Sequence, residues 1–167
     1  MYDNTILAMV KAIASFLQEQ LCEMRFCTKD GKEKAPLVYE GYLPPKKNRR
    51  GDSSEYEEYP FIIVRFLDAE DEINKQSIAN FRILLGIYNS DEQNGWKDVA
   101  GLIDRIKFEL KRKGFIGAGE LTGKIESAIF EEQMKPTWHG IMDISFKMPQ
   151  VQQEVGVIED DFFSKNY

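Results

Sequence analysis

The strongest constraint on the fold is a pair of strand-like runs in the middle of the chain. Residues 60–67 read PFIIVRFL, which is β-branched and aromatic and apolar on both faces at its start. Residues 79–88 alternate instead, and one face of this run carries Phe81, Ile83, Leu85 and Ile87. Because the acidic segment 68–72 reads as a turn between them, the two runs predict an antiparallel hairpin.

Two other segments carry apolar residues at helical spacing. The first spans about residues 4–22, with Asp3 or Asn4 as its predicted N-cap. Its stripe comprises Ile6, Val10, Ile13, Leu17 and Leu21. The second helix opens at Asn94-Gly95-Trp96 and stops at Gly114, with three basic residues in its last turn, where the helix dipole favours cations. Its stripe comprises Val99, Leu102, Ile103, Ile106 and Leu110, with Trp96 one turn earlier.

The remaining strand candidates complete an α+β pattern. They are residues 23–27, 37–42, 124–130 and 138–148, with a bulge expected near 144–146 and a loose glycine-containing connection at 117–123. The predicted order is α-β-β-β-β-α-β-β, a mostly antiparallel sheet with two helices packed on one face. We expect one domain over residues 1–149 and a C-terminal extension at 150–167, either a mobile tail or a segment that orders on a partner.

Charge and cysteine content narrow the class of protein. The formal net charge is −6 and the acidic residues are spread along the chain, which argues against a dedicated nucleic-acid binder. Cys22 and Cys27 are the two cysteines and lack nearby metal-ligand partners, so both are predicted to be reduced thiols of a cytosolic protein. The first twenty residues do not resemble a signal peptide, and no apolar stretch is long enough to span a membrane.

The sequence lacks the patterns that common catalytic sites require. It contains no Gly-rich phosphate loop, nucleophile elbow or Cys–His pair. His139 and Asp143 share a strand face, but four residues of strand separate them by about 13 Å, so a direct dyad is not expected. The acidic residues at 68–72 and 131–132 have no defined ligand spacing and are predicted to be solvated. We therefore predict no catalytic, cofactor or metal site, and a protein that is not an enzyme.

Three stretches resemble the tail-terminator, or tail-completion, proteins of long-tailed phages. One is the YPFIIVR strand after a polar loop, and the second is the GIYN-DE--GW-D junction from Gly86 to Asp98. The third is a closing strand that ends in Met148-Pro149. The similarity covers about residues 59–151, with the N-terminal helix in the expected place.

The resemblance implies an α+β subunit of a hexameric ring that caps the tail tube, ends its polymerisation and provides the interface to the neck or collar. The implied partners are other copies of the chain, the tube protein, and the sheath and neck or collar proteins. No membrane and no specific nucleic acid are implied, although DNA can pass through the ring. The implied location is a virion or tail-like particle, assembled in the cytoplasm of a bacterial host that carries a prophage or a tail-like bacteriocin. No catalytic residues belong to the family.

Two segments are the candidate contact surfaces of such a subunit. The loop at residues 44–59 is polar with almost nothing to bury, and its charge is split between a basic and an acidic half, so each half is expected to face a surface of opposite charge. The C-terminal extension is too apolar for pure solvation and is expected to pack on a neighbour. The candidate interface residues are Lys46, Lys47, Arg49, Arg50, Glu55, Glu57, Glu58, Val155, Ile158, Phe162 and Phe163.

Three other functions remain open at this point. A head-tail joining or neck protein has the same assembly role and is hardly separable by sequence. A small α+β ligand-binding enzyme belongs to a different class and would bind a nucleotide or a metal in stoichiometric amounts. A single-stranded nucleic-acid module would use the basic cluster of Lys46–Arg50 and the aromatic strands, but the net charge opposes it.

Overall fold

A computed structural model describes residues 3–46 and 55–152 and confirms the α+β class. The helices are α1 (Ile6–Gln20) and α2 (Trp96–Lys113). The strands are β1 (Phe26–Cys27), β2 (Glu33–Lys34), β3 (Leu37–Glu40), β4 (Phe61–Glu70), β5 (Ser77–Tyr88), β6 (Phe115–Ile116), β7 (Gly119–Ile129) and β8 (Thr137–Met148). The predicted order is confirmed, and the two-residue strands β2 and β6 are additions to it.

Both helices follow from their apolar stripes, but the predicted N-cap of α1 is wrong. Thr5 is the N-cap, with its hydroxyl accepting from the backbone N–H of Ala8 at 3.1 Å, while Asp3 accepts from the N–H of Thr5 at 2.9 Å. The predicted stripe of α2 is buried, whereas Trp96 is 45% exposed and lies outside it. Gly114 ends α2 with a φ of +74°, which glycine adopts without a steric penalty.

Six strands form the main sheet in the order β3-β4-β5-β8-β7-β6. The predicted β4–β5 hairpin is confirmed, and β5 and β8 pair without interruption along twelve residues each. Pairing is antiparallel throughout except for β3, which lies parallel to β4. The pair β1–β2 forms a separate hairpin, whose tight turn includes a hydrogen bond from the N–H of Thr28 to the carbonyl of Lys32.

Three local predictions about the strands are wrong. β4 continues to Glu70 instead of ending at the acidic segment, because Asn80 on β5 donates to Asp68 at 2.6 Å and the pairing continues beyond a bulge at Leu67. β7 begins at Gly119, so part of the glycine segment expected to form a loose connection is strand. The bulge expected in β8 lies instead in the neighbouring β7, between Leu121 and Ile125.

The two faces of the sheet have different surroundings. The main core lies between the helices and one face, where the alternating residues of β5 and β8 meet the stripes of α1 and α2. On the opposite face, which we call the second face, a smaller cluster consists of Tyr59, Phe61 and Ile63, with Tyr39, Leu43, Tyr56, Leu84 and Tyr88 packed around them. This second cluster lies at the ends of β4 and β5 where the polar loop joins the sheet.

Among the described residues, neither helix combines the length and the hydropathy that crossing a membrane would require.

Candidate functional site

The base of the polar loop is held against its own chain by ion pairs and hydrogen bonds. The carboxylate of Glu58 lies 3.2 Å from Nζ of Lys46, and that of Glu55 lies 3.9 Å from Nζ of Lys29 beside the β1–β2 hairpin. Nζ of Lys34 on β2 donates to the backbone carbonyl of Glu57 at 3.2 Å. The two ends of the loop are therefore fixed to the sheet and to the hairpin.

Tyr56 holds the backbone at the base of the loop in an unusual conformation. Its φ of 67° lies in the left-handed region, which is costly for a bulky side chain and persists only when its surroundings hold it. Its ring packs 5.6 Å from that of Tyr88 and 6.2 Å from that of Tyr59, and Nζ of Lys29 lies 5.6 Å from its centroid. A hydrogen bond with Glu55 raises the pKa of Tyr56.

Tyr59 and His139 form a polar pair within the second cluster. The Tyr59 hydroxyl lies 2.7 Å from Nε2 of His139, and Tyr59 is only 8% exposed. Phe130 stacks on the imidazole with ring centroids 6.2 Å apart. Burial raises the pKa of Tyr59 and lowers the pKa of His139, so both groups favour their neutral forms.

Gln133 fixes the backbone around His139. Its side chain accepts from the N–H of His139 at 2.7 Å and donates to the carbonyl of the same residue at 2.9 Å. The pair with Tyr59 therefore connects the end of the loop to a rigid point on β8. The prediction that Tyr59 belongs to a stretch with almost nothing to bury is wrong, because its ring fills the second cluster.

A row of charged side chains crosses the middle of the second face. Arg82 on β5 donates twice to Asp143 on β8, with both N···O distances at 2.8 Å. Beside it, Arg65 on β4 stacks on Tyr42 at 4.2 Å and donates to the carbonyl of Gly41 at 2.9 Å. Asp143 is thus paired with Arg82, whereas His139 contacts Tyr59.

A groove of about 1000 Å³ lies at the opposite end of the sheet. Its walls are the start of α1, the β4–β5 turn and residues 148–152. Ile73 is 68% exposed and Val151 is 91% exposed at this groove, so two aliphatic side chains lie at its rim. The C-terminal extension begins here.

The structure places only some of the predicted interface residues. Four of them lie at the base of the loop: Lys46, Glu55, Glu57 and Glu58. Of these, Lys46, Glu55 and Glu58 form the ion pairs given above. The remaining seven, Lys47, Arg49, Arg50, Val155, Ile158, Phe162 and Phe163, lie outside the described residues. Their interface role stays a prediction.

The acidic residues of the β4–β5 turn form local hydrogen bonds and ion pairs. Asp71 accepts from the hydroxyl of Ser77, and Glu72 pairs with Lys75 at 2.6 Å. Across residues 3–46 and 55–152, no three His, Cys, Asp or Glu side chains cluster in a way that could hold a metal ion. Cys22 and Cys27 are free and exposed.

Sequence reasoning missed both the Tyr59–His139 pair and the Arg82–Asp143 pair. The partners are 80 and 61 residues apart along the chain. Arg82 and Asp143 could have been paired if β5 and β8 had been recognised as neighbours, since each occupies a polar position in an alternating strand. No local signal indicates Tyr59 and His139.

Comparison with protein-family models and with curated proteins gives no match to this chain.

Proposed function

We propose that this chain is a structural subunit of a phage-type tail that forms a ring, most simply a hexamer, at the end of the tail tube. The ring ends polymerisation of the tube and provides the interface to the neck or collar. Its partners are further copies of itself, the tube protein, and the sheath and neck or collar proteins. It acts in a virion or tail-like particle that assembles in the bacterial cytoplasm, and it is not an enzyme.

The observation that carries the proposal is that the two candidate contact segments leave the sheet at opposite ends. The polar loop returns to the sheet at Tyr59, beside Tyr88 at the end of β5. The C-terminal extension follows Met148, which pairs with Ser77 at the other end of β5. The twelve residues of β5 separate these ends by about 35 Å. A subunit with contacts at both ends suits a ring that lies between a tube and a neck.

The three stretches behind the family resemblance form one connected part of the fold. They correspond to β4, to the junction of β5 with α2, and to β8, and these strands are neighbours in the sheet. Within the junction, Gly86 lies under the Phe61 ring and Gly95 lies under the Trp138 indole, where a Cβ would come within 2.3 Å and 2.1 Å. The two glycines of the junction are therefore required for close packing of aromatic rings. The junction supports the proposal because it helps to define the fold that the resemblance implies.

A ring that lies between a tube and a neck also contacts two different partners, one at each of its ends. The loop base and the C-terminal groove differ in chemistry. The first is a network of lysine and glutamate side chains, and the second has exposed aliphatic residues at its rim. Such a pair of unlike surfaces is compatible with different contacts at each end of the subunit.

The test is a capping assay on polymerising tube protein, together with the native mass of the chain. We expect rings of six subunits, and tubes that stop growing when the chain is added in small amounts. Rings that leave tube growth unchanged would favour a neck or head-tail joining protein. A chain that stays monomeric at high concentration and leaves tube growth unchanged would contradict the proposal.

A further inference from the structure

The outer edge of β7 is open along half of the strand. On one side, Ile125–Ile129 pair with β8. On the other side, β6 reaches only Gly119 and Glu120. In the part of the chain that the structure describes, no strand lies beyond Ile125–Ile129, and Glu126, Ser127 and Ala128 are exposed.

The direction of the backbone groups on this edge follows from one hydrogen bond. The N–H of Phe130 donates to the carbonyl of His139 at 3.1 Å, so residue 130 points its backbone groups toward β8. Because backbone groups alternate in direction along an antiparallel strand, those of Ile125, Ser127 and Ile129 point outward. Three consecutive outward positions thus present N–H and C=O groups in the geometry that another strand would use.

The other edge strand of the sheet, β3, already has partners for its outward backbone groups. On β3, the side chain of Gln18 accepts from the N–H of Val38 at 2.9 Å and donates to the carbonyl of Pro36 at 3.3 Å. The carbonyl of Glu40 accepts from the N–H of Tyr42 at 2.8 Å. These contacts satisfy outward groups of β3, so the edge of β7 is the better acceptor of an additional strand.

We propose that the edge of β7 pairs with the same edge of a second copy, antiparallel and about a two-fold axis through Ser127. In this register Ser127 faces Ser127 of the second copy, and Ile125 faces Ile129 in both directions. All three outward positions of each strand are then used, which forms about six backbone hydrogen bonds across the axis. Shifting the register by one residue would place outward groups opposite inward ones.

The side chains of this register also match. Ile125 and Ile129 of the two copies meet on the helix face, next to the main core against which both already pack. On the second face, Glu126 faces Ala128, so no like charges are opposed. One step further, Lys124, whose side chain is 75% exposed, faces Phe130, which is 42% exposed. The edge is thus complementary to itself.

This pairing goes beyond the proposed ring and does not depend on it. A two-fold contact uses one surface twice, whereas a ring uses two different surfaces. The contact is small, so association of free subunits is expected to be concentration-dependent. Failure of one proposal therefore leaves the other standing, because the pairing is tested by the effect of Ser127→Pro on self-association and the ring by six-subunit assemblies and tube growth.

The test compares Ser127→Pro with Ser127→Ala in the full chain. Proline removes the outward N–H of residue 127 and leaves the bonds to β8 intact, as edge strands tolerate. Alanine keeps that N–H. We expect dimers of the wild type and of Ser127→Ala in a native-mass concentration series. For Ser127→Pro we expect a dimer affinity that is weaker by at least about tenfold.

Hydrogen exchange of the wild type gives a second measurement if the proline variant does not fold. The amides of Ile125, Ser127 and Ile129 are expected to gain protection as the concentration rises, whereas the amide of Ala128 is protected at every concentration by its bond to β8. Concentration-independent exchange at these three amides, or a wild type without dimers, would overturn the pairing. A dimer that Ser127→Pro leaves unchanged would also overturn it.

Discussion

At His139, burial and hydrogen bonding act together on one titratable side chain. The imidazole contacts the Tyr59 hydroxyl and the Phe130 ring, and burial lowers its pKa below the ordinary value of 6.5. The unfolded chain therefore binds more protons than the folded one between the two pKa values. The stability contributed by neutral His139 is fully present above pH 6.5 and is lost as the pH falls through that window.

His139→Gln is expected to reduce the dependence of stability on pH. Glutamine can still hydrogen-bond Tyr59 but does not titrate, so the fall in Tm between about pH 7 and about pH 5.5 should be smaller than in the wild type. Tyr59→Phe is the matched control, because it keeps the titrating imidazole and should keep the slope. Equal slopes for His139→Gln and the wild type, measured by thermal unfolding, would contradict this assignment.

The contacts of single residues could be predicted only where they depend on residues nearby in the sequence. The separation of His139 from Asp143 follows from strand geometry alone, and the structure gives each a different partner. Thr5 rather than Asp3 or Asn4 caps α1, a shift of one or two residues within the expected turn. The burial of Tyr59 was not predictable, since its pocket is built from β4, β5 and β8.

At the scale of elements, the start of α2 is fixed by contact between Gly95 and Trp138. The indole Nε1 donates to the carbonyl of Asn89 at 3.0 Å, and Asn89 in turn donates to Asp98 in the first turn of the helix at 2.9 Å. The ring passes so close to Gly95 that a Cβ there would lie 2.1 Å from Nε1. The strand-to-helix junction therefore depends on the absence of a side chain at this position.

Gly95→Ala is expected to destabilise the protein by about 1–3 kcal/mol, because the indole or the helix start must move. Gly101→Ala in the same helix is the control. Gly101 is exposed with open space around it, and alanine there should be neutral or stabilising by up to about 1 kcal/mol. The midpoints of urea unfolding measure both, and equal midpoints for the two variants would be the contrary result.

Helices and strands with a regular spacing of apolar residues could be predicted from the sequence. Strand segments that exist only because they pair with a neighbouring strand could not. Both helices and the strands β4, β5 and β8 lie where apolar spacing predicts them. β7 begins five residues earlier than expected because its glycine segment pairs with β6 and β8, and such pairing gives no periodic signal. For the same reason, the predicted bulge lies in β7 rather than in β8.

At the scale of the whole molecule, the polar loop and the C-terminal extension leave opposite ends of one rigid sheet. The loop ends are fixed through Lys46, Glu55, Tyr56 and Glu58, whereas residues 47–54 lie outside the described part. An alteration confined to residues 47–54 therefore spares the described contacts of the second cluster. Such an alteration therefore tests the proposed assembly role of the loop apart from the structural role of its ends.

Replacing residues 47–54 by a Gly/Ser segment of equal length is expected to keep Tm within a few degrees and to abolish capping of tail tubes. Its control is Asp104→Asn on α2, which removes an exposed ion pair of small energetic value with Lys107 and should retain capping. Tube growth followed by light scattering measures both variants. Full capping by the Gly/Ser variant would remove the loop from the proposed interface.

The sequence by itself determined the α+β class, the two helices and the central strands, because apolar periodicity records which side of an element is buried. Their composition also indicated the two segments that are the candidate contact surfaces. Only the tertiary structure decided that β3 lies parallel to β4, that β5 adjoins β8, and that Tyr59 meets His139. Strand order depends on contacts between residues far apart in the chain, and these leave no local pattern in the residues that make them.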